Sequence, residues 1–160
     1  MMRREHIEPA GLRDTVSLLA RHWTDKPLHF VRNFDNAVYR ISEEPVPLYL
    51  RVTHEHHRSR VQIESELQLV RHVAASGIAV GLPVESRHGQ LIHTARVNDE
   101  QYWACVFTEA SGRPFEETRP ADEKRFFLEA GRTMALLHRA LSAFDRPEGF
   151  VRFGWTEDRW

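Results

Sequence analysis

The sequence is poor in cysteine and in long apolar runs. Cys105 is the single cysteine among 160 residues, so the chain cannot form an intramolecular disulfide or supply a cysteine-based zinc cage. No stretch approaches the roughly 18 consecutive apolar residues that a membrane-spanning helix needs, and the first residues lack the apolar core of a secretory signal. We therefore expect a cytoplasmic protein without a membrane partner.

The sequence also lacks an excess of charge of either sign. It has 22 basic and 23 acidic residues, and its formal net charge of -1 argues against a nucleic-acid-binding protein. Lysine is scarce, because Lys26 and Lys124 are the only two, so a lysine-dependent site has few places to lie. The hydrophobic content of 41% is sufficient for one core and is not typical of a disordered chain.

Hydrophobic periodicity in the first half predicts a helix, a three-stranded meander and a second helix. The first helix is expected over residues 9–23. The segment from Ser59 to Gln62 has the form of a capping box, so the second helix should begin there and end near Gly77. The predicted strands are Leu28–Arg32, Ala37–Ser42 and Pro47–His54. The apolar stripe of the second helix contains Ile63, Leu67, Val70 and Ala74.

The second half predicts a hairpin and a long helix. The strands Leu91–Val97 and Tyr102–Thr108 flank the turn residues Asn98 and Asp99. A linker at residues 111–114 precedes a helix that is announced by Pro120 and Asp122 and stopped by residues 146–149. The buried stripe of this helix is predicted to contain Phe127, Ala130, Met134, Leu137, Leu141 and Phe144.

About five antiparallel strands with one helix after the third are the plan of an α+β kinase amino-terminal lobe. On the third predicted strand, Leu50 lies on the core face and Arg51 on the opposite face, because side chains alternate along a strand. A guanidinium at that place is suited to hold nucleotide phosphates through paired hydrogen bonds. Arg51 is therefore a candidate phosphate-binding residue.

The second helix offers two carboxylates to pair with Arg51. With Ile63 as the origin, Glu66 lies about 60° to one side of the apolar stripe, whereas Glu64 lies about 100° to the other side and faces solvent. This geometry favours an Arg51–Glu66 ion pair. The alternative is that both are ordinary surface charges.

The turn from Asn33 to Asn36 is a second candidate for phosphate contact through its backbone amides, although it contains no glycine. Asn36 and Val38 would then lie below and above a nucleotide. The alternative interpretation is a simple polar hairpin.

Two segments that contain histidine are weaker candidates for chemistry. The group at His54, His56 and His57, beside Arg58 and Arg60, suggests a metal site, but Glu55 is the only nearby carboxylate. The alternative is a positively charged loop that faces phosphate. The segment from His138 to Leu141 resembles a kinase catalytic loop with alanine in place of aspartate. Because its apolar residues belong to the predicted long helix, we interpret it as helical.

Six segments, taken together in their order and spacing from about residue 28 to 144, resemble the aminoglycoside-phosphotransferase and choline-kinase-like family. They are Asp35-Asn36-Ala37-Val38-Tyr39-Arg40, Tyr49-Leu50-Arg51-Val52-Thr53-His54, Ser65-Glu66-Leu67, Gly77-Ile78-Ala79-Val80, Gly112-Arg113-Pro114-Phe115 and Gly131-Arg132-Thr133-Met134-Ala135-Leu136-Leu137-His138.

The resemblance implies a protein-kinase-like fold that binds ATP and Mg²⁺ between two lobes. Residues 1–110 would form the amino-terminal lobe with its preceding helix, and residues 111–160 would form a linker and the start of the second lobe. Arg51 stands where many kinases have a phosphate-binding lysine, and Glu66 stands where they have its helix partner. The resemblance also makes Phe107–Ala110 the hinge that meets the adenine edge. The implied nucleotide-binding residues are Asn36, Val38, Arg51, Glu66, Thr108, Glu109 and Ala110.

The chain departs from this family where catalysis is concerned. The family's general base is an aspartate in a His-Gly-Asp segment, and a following asparagine and aspartate hold the magnesium. The chain's His88-Gly89 continues with Gln90 instead, so no catalytic residue and no metal ligand is assigned. Tyr49 is also larger than the small residue that kinases often have two positions before the phosphate cation, which would narrow the adenine site.

We expect a truncated kinase of this family, inactive alone, that covers roughly half of an enzyme phosphorylating a small-molecule hydroxyl. The acceptor is left open among aminoglycosides, choline, homoserine and protein hydroxyls. The alternative is a non-catalytic nucleotide-binding or dimerising module. The candidates for its apolar contact surface are Phe107, Phe153 and Trp155.

Overall fold

A six-stranded antiparallel sheet with one helix against each face forms the centre of the fold. The computed structural model describes residues 11–42, 46–112 and 123–152. The central strand order is β1-β2-β3-β6, and the far side of β6 is paired by β4 at one end and by β5 at the other. The strands are β1 (Leu28–Asn33), β2 (Asn36–Ile41), β3 (Leu48–His54), β4 (Pro83–Val84), β5 (His93–Val97) and β6 (Glu100–Thr108).

The α+β expectation is confirmed, and one strand was missed. The meander and the β5–β6 hairpin were predicted, and Asn98 and Asp99 have φ angles of 51° and 64°, as a tight hairpin turn requires. The missed strand is β4, whose two residues are too few to show an alternating pattern. It is held by pairing with Phe107 and Val106 of β6.

Helix α1 (Leu12–Ala20) seals one face of the sheet. Its Val16 and Leu19 are buried against Leu50 and Val106, and all four side chains are almost wholly withdrawn from solvent. Full burial of such a side chain contributes about 1.5–3 kcal/mol, so this face supplies most of the core. The helix was predicted to end at Trp23 and ends three residues earlier, at Ala20. Trp23 lies outside the helix, and its indole nitrogen donates to the Val84 carbonyl at 2.9 Å.

Helix α2 (Arg60–Ala75) packs on the opposite face and begins where the capping box predicted. The Ser59 hydroxyl accepts from the Gln62 amide, and the Gln62 side chain accepts from the Ser59 amide. Of the predicted stripe, Ile63 and Leu67 are buried and form a smaller cluster with Ile92 and Cys105. Near the end of the helix the buried residue is Val73 rather than Val70 or Ala74.

Helix α3 (Glu123–Ser142) corrects the prediction of a buried stripe. Phe127 is 63% exposed and Met134 is 52% exposed, whereas Ala140 is buried. In the described ranges the last turn of α3 meets α2, where His72 Nε2 lies 2.8 Å from the Ala140 carbonyl oxygen. The apolar spacing that predicted the stripe is real, but no described segment covers its first four turns. None of the helices in the described ranges has the length and apolarity to span a membrane.

Candidate functional site

The candidate site lies on the α2 face of the sheet, where three strands bring one row of side chains together. In the register of β2, β3 and β6, Val38 is opposite Arg51, which is opposite Cys105. Residues directly opposite in an antiparallel sheet project to the same face. Arg51 therefore lies on the face opposite Leu50, as the alternation predicted.

Arg51 and Glu66 form a two-pronged ion pair in the space between β3 and α2. Arg51 Nη1 donates to Glu66 Oε1 at 2.5 Å, and Nη2 donates to Oε2 at 3.2 Å. Glu64 turns away and pairs with Arg60 at 2.8 Å, one helical turn before it. The choice of Glu66 over Glu64, made from the angle between each residue and the apolar stripe, is correct.

The guanidinium of Arg51 is held by an aromatic ring as well as by Glu66. Its central carbon lies 4.9 Å from the centroid of the Phe107 ring, which adds a cation–π contact. Burial acts to lower the pKa of Arg51, but the hydrogen bonds and charge of Glu66 outweigh it, so the pKa is raised and the cation is permanent. Burial also raises the pKa of the Cys105 thiol beside it to about 11, which leaves that thiol neutral at pH 7.

The ion pair with Glu66 leaves one nitrogen of Arg51 unused. Arg51 Nε is buried and has no hydrogen-bond acceptor among the described residues. A buried donor without an acceptor costs about 1–3 kcal/mol, so such a group is uncommon unless a ligand completes it. The arrangement is therefore suited to receive an anion.

A cavity of about 360 Å³ opens at this ion pair, and most of its lining residues are polar or charged. Arg51 and Glu66 line it together with Asn36 and Thr53 from the neighbouring strands. The Thr53 hydroxyl donates to Asn36 Oδ1 at 2.5 Å, which fixes the Asn36 side chain against the sheet. Of the predicted pair, Asn36 lines the cavity, and Val38 lies beside Arg51 on β2 without lining it.

The predicted hinge lies at the end of β6. The amide of Thr108 donates to the Leu82 carbonyl, and the amide of Glu109 donates to the Pro47 carbonyl, each at 2.9 Å. Among Thr108, Glu109 and Ala110, only Ala110 has an amide that takes part in neither of these two bonds. The backbone at Gly81 lies very close to that of Thr108. A Cβ at Gly81 would approach the Thr108 carbonyl oxygen to 2.7 Å, so glycine is required there.

Tyr49 adds a contact that the sequence did not reveal. Its hydroxyl donates to Glu109 Oε1 at 2.7 Å and links β3 to the hinge. This hydrogen bond, followed by partial burial, raises the pKa of Tyr49. Tyr49 lies on the same face as Arg51, two residues nearer the hinge, so its ring borders the space between the two.

The two segments that contain histidine form neither a metal site nor a catalytic loop in the part of the chain that the structure describes. His54 Nε2 lies 3.5 Å from Glu100 Oε2, and its ring contacts those of His56 and His57. Within the ranges that the structure describes, no group of three or more histidine, cysteine, aspartate or glutamate side chains is placed to hold a metal. The segment from His138 to Leu141 lies within α3, as interpreted from its apolar residues.

Several residues at the site were not predicted. Gln62, Ser65 and the segment from Phe150 to Arg152 also line the cavity, together with Arg58 of the loop that was predicted to face phosphate. In that segment Val151 lies 86 residues from Ser65, and no local periodicity connects the two. Phe153 and Trp155, two candidates for an apolar contact surface, lie outside the described residues, and the third, Phe107, lies under Arg51 instead.

Comparison with known protein families identifies one family over most of the chain. The sequence model of the phosphotransferase enzyme family matches residues 28–160. Among curated proteins, amicoumacin kinase of Bacillus subtilis (strain 168) is 26% identical over 133 residues, which cover 82% of this chain and 39% of that protein. The chain thus spans well under half the length of this relative.

Solved structures of kinases have the same fold. The structure of amicoumacin kinase hAmiN in complex with AMP-PNP, Ca2+ and Ami matches with a TM-score of 0.75 at 22% identity, over 96% of this chain and 46% of that one. The microcompartment-associated aminopropanol kinase matches with a TM-score of 0.73 at 23% identity, over 89% of this chain and 45% of that one. The kinase-like fold expected from the strand order is confirmed.

Proposed function

The chain belongs to the phosphotransferase enzyme family, and we propose that it forms the nucleotide-binding half of an ATP-dependent kinase that phosphorylates a small-molecule hydroxyl. The observation that carries this proposal is the Arg51–Glu66 ion pair at the cavity. It combines a permanent cation, a carboxylate that fixes its orientation and a buried Nε without an acceptor. A phosphate oxygen would complement the first and the last of these, because it brings negative charge to the cation and an acceptor to Nε, while Glu66 keeps the guanidinium in place.

The spacing of the site supports a nucleotide. Arg51 is opposite Cys105 on β6, and Leu48 is opposite Thr108, three residues further along that strand. At about 3.4 Å per residue, the phosphate cation and the hinge are about 10 Å apart along the strand. An adenine edge at the hinge and a phosphate at Arg51 are therefore compatible with one bound nucleotide.

Each predicted site residue receives a role in this proposal. Arg51 binds phosphate and Glu66 sets its rotamer. Asn36 and Val38 of β2 lie below and above the nucleotide. The backbone of Thr108, Glu109 and Ala110 meets the adenine edge, with the Ala110 amide as the donor.

The family also implies Mg²⁺, and the residues present do not fit it. The described ranges hold no cluster able to bind a metal, and the 160 residues contain no His-Gly-Asp segment. We propose that this polypeptide alone transfers phosphate negligibly. The proposed boundary lies at residue 110, with residues 111–160 as the linker and the start of a second lobe. Formation of a phosphorylated alcohol from ATP by the purified chain would contradict the proposed inactivity.

The nucleotide proposal is tested by calorimetric titration of the chain with ATP and with AMP-PNP. We expect Arg51→Gln to weaken binding by at least about tenfold, because one charge-assisted hydrogen-bonding group contributes about 1.5–3 kcal/mol. Arg71→Gln is the matched control, since Arg71 lies on α2 but pairs with the exposed Glu85 at 3.3 Å, outside the cavity. Equal affinities of both variants for ATP would refute the proposed site.

A second candidate function, a dimerising or interaction module, is favoured by the exposed apolar side chains of α3. Those more than about 45% exposed are Phe127, Leu128, Met134 and Leu136. Contiguous exposed apolar surface is typical of protein–protein contact. Light scattering after size exclusion separates the two functions, because a monomer that binds ATP supports the first and a dimer without affinity for ATP supports the second.

A further inference from the structure

The cavity at the ion pair carries more positive charge than one nucleotide-binding arginine explains. Arg51, Arg58 and Arg152 all line it, and Glu66 is its one carboxylate. Glu66 is engaged by Arg51, and among the described residues no carboxylate pairs with Arg58 or with Arg152. The described lining of the cavity therefore has a formal charge of about +2, and two of its three guanidinium groups have no carboxylate partner among the described residues.

Arg152 reaches the cavity because the chain turns back after α3. The Phe144 ring contacts His72 of α2 and Phe150, and the Phe150 amide donates to the Pro147 carbonyl. The next amide, that of Val151, donates to the Ser65 hydroxyl at 2.9 Å. The residue after it is Arg152, so one hydrogen bond fixes the backbone directly before this arginine.

Serine is uncommon in the middle of a helix, and the contacts of Ser65 indicate that it joins two segments. Its side chain is buried, and its hydroxyl donates to the Val61 carbonyl at 2.8 Å while accepting from Val151. It precedes Glu66 directly. Ser65 thus joins the returning segment to α2 at the position next to the carboxylate that orients Arg51.

Arg58 is held independently, in the loop that leads from β3 to α2. Its amide donates to the His54 carbonyl at 3.3 Å, and its own carbonyl accepts from the Trp103 indole nitrogen at 3.1 Å. Both contacts use the backbone, so the guanidinium of Arg58 is not consumed in holding the loop.

We propose that Arg58 and Arg152 are binding residues for the polyphosphate of a nucleoside triphosphate, acting with Arg51, and that Ser65 is the positioning residue that places Arg152. This inference rests on the proposed function and assigns two further cations to the same site. A triphosphate has several adjacent anionic groups, and guanidinium groups from a strand, a loop and a returning segment can each take one of them through paired hydrogen bonds.

The experiment titrates the full chain at low salt with ATP, adenosine and sodium tripolyphosphate. We expect Arg58→Gln and Arg152→Gln each to weaken ATP and tripolyphosphate binding by about fivefold or more and to leave adenosine binding unchanged. Both variants should also flatten the dependence of ATP affinity on salt, because each removes a charge that salt screens. Arg71→Gln is the matched control, and circular dichroism of every variant checks that it is folded.

Ser65 requires a test that separates positioning from stability. Ser65→Ala should weaken ATP binding as Arg152→Gln does, and the double variant should bind no more weakly than Arg152→Gln alone, because the two residues act through one contact. Additive losses in the double variant would contradict the positioning role. Comparison is made at a temperature where each variant is folded.

The outcomes separate this inference from the function on which it rests. If Arg51→Gln loses ATP but both other variants match Arg71→Gln, the inference is overturned and the nucleotide site stands. If the chain binds tripolyphosphate with dependence on Arg58 and Arg152 but does not bind ATP, the polyphosphate cradle stands and the nucleotide assignment fails. If the chain binds neither probe, both are overturned.

Discussion

The two faces of the sheet are built by alternate residues of the same strands, yet one is sealed and the other contains a polar cavity. On β3, Leu50 is wholly buried beneath α1, whereas the next residue, Arg51, retains 18% exposure beside α2. Among the described residues, the α1 face has no ion pair at its centre, whereas the α2 face is organised around the Arg51–Glu66 pair. Stability and ligand chemistry are thus separated by the two-residue period of a strand, and a register shift of one residue would exchange them.

The largest expected effect lies on the sealed face. Leu50→Ala should lower the free energy of unfolding by about 2–5 kcal/mol, because it opens a cavity in a side-chain environment without solvent. Urea unfolding followed by circular dichroism measures the change. Leu18→Ala is the control on α1, since Leu18 is 51% exposed and its loss should cost less than about 0.5 kcal/mol. Similar losses for both would show that α1 does not seal this face.

The next effect tests whether the open face is held by its ion pair. Glu66→Ala should lower the free energy of unfolding by about 1–3 kcal/mol, because the partly buried guanidinium of Arg51 loses its acceptors. Glu64→Ala removes a carboxylate two residues away that forms an exposed pair with Arg60, worth about 0.5 kcal/mol or less. A larger loss for Glu64→Ala in chemical denaturation would contradict the assignment.

A smaller effect distinguishes how the two covering helices begin. Helix α1 follows Gly11 and has no side-chain cap, whereas α2 has the reciprocal Ser59–Gln62 capping box. Ser59→Ala should lower the free energy of unfolding by about 1 kcal/mol. Ser17→Ala removes a hydroxyl that donates to the Arg13 carbonyl within α1 and caps nothing, so it serves as the control. Equal stability of the Ser59 variant and the parent would show that burial alone holds α2.

The parts of this comparison that sequence could predict are those set by local geometry. The alternation along β3, the capping box at Ser59 and the angular position of Glu66 each depend on a few consecutive residues, and each was predicted correctly. Fold class followed from the same local signals taken in order.

The parts that sequence could not predict depend on distant contacts. Nothing local connects Val151 with Ser65, or Tyr49 with Glu109, because each pair is joined only by the folded chain. The stripe on α3 was predicted to be buried because its apolar spacing indicates a helix face that packs on a partner. The spacing does not indicate whether a described segment covers that face. The two-residue β4 is defined entirely by its neighbour β6.

The smallest expected effect is a dependence of stability on pH that arises from the α1 face. The buried ring of His93 stacks on His22 at 3.6 Å between centroids, and His93 Nε2 lies 2.8 Å from the Ser86 hydroxyl. Burial, with the nearby charges of His22, His88 and Arg60, lowers the pKa of His93 below its ordinary value of 6.5.

The unfolded chain therefore binds a proton at His93 more readily than the folded chain, and stability falls as the pH drops below about 6.5. We expect the urea midpoint to decrease between pH 7 and pH 5, and His93→Gln to reduce that decrease. Arg51→Gln, on the open face, should leave the pH dependence unchanged. If the His93 and Arg51 variants responded alike, the titration would not belong to the α1 face, and the separation of the two faces would not extend to their electrostatics.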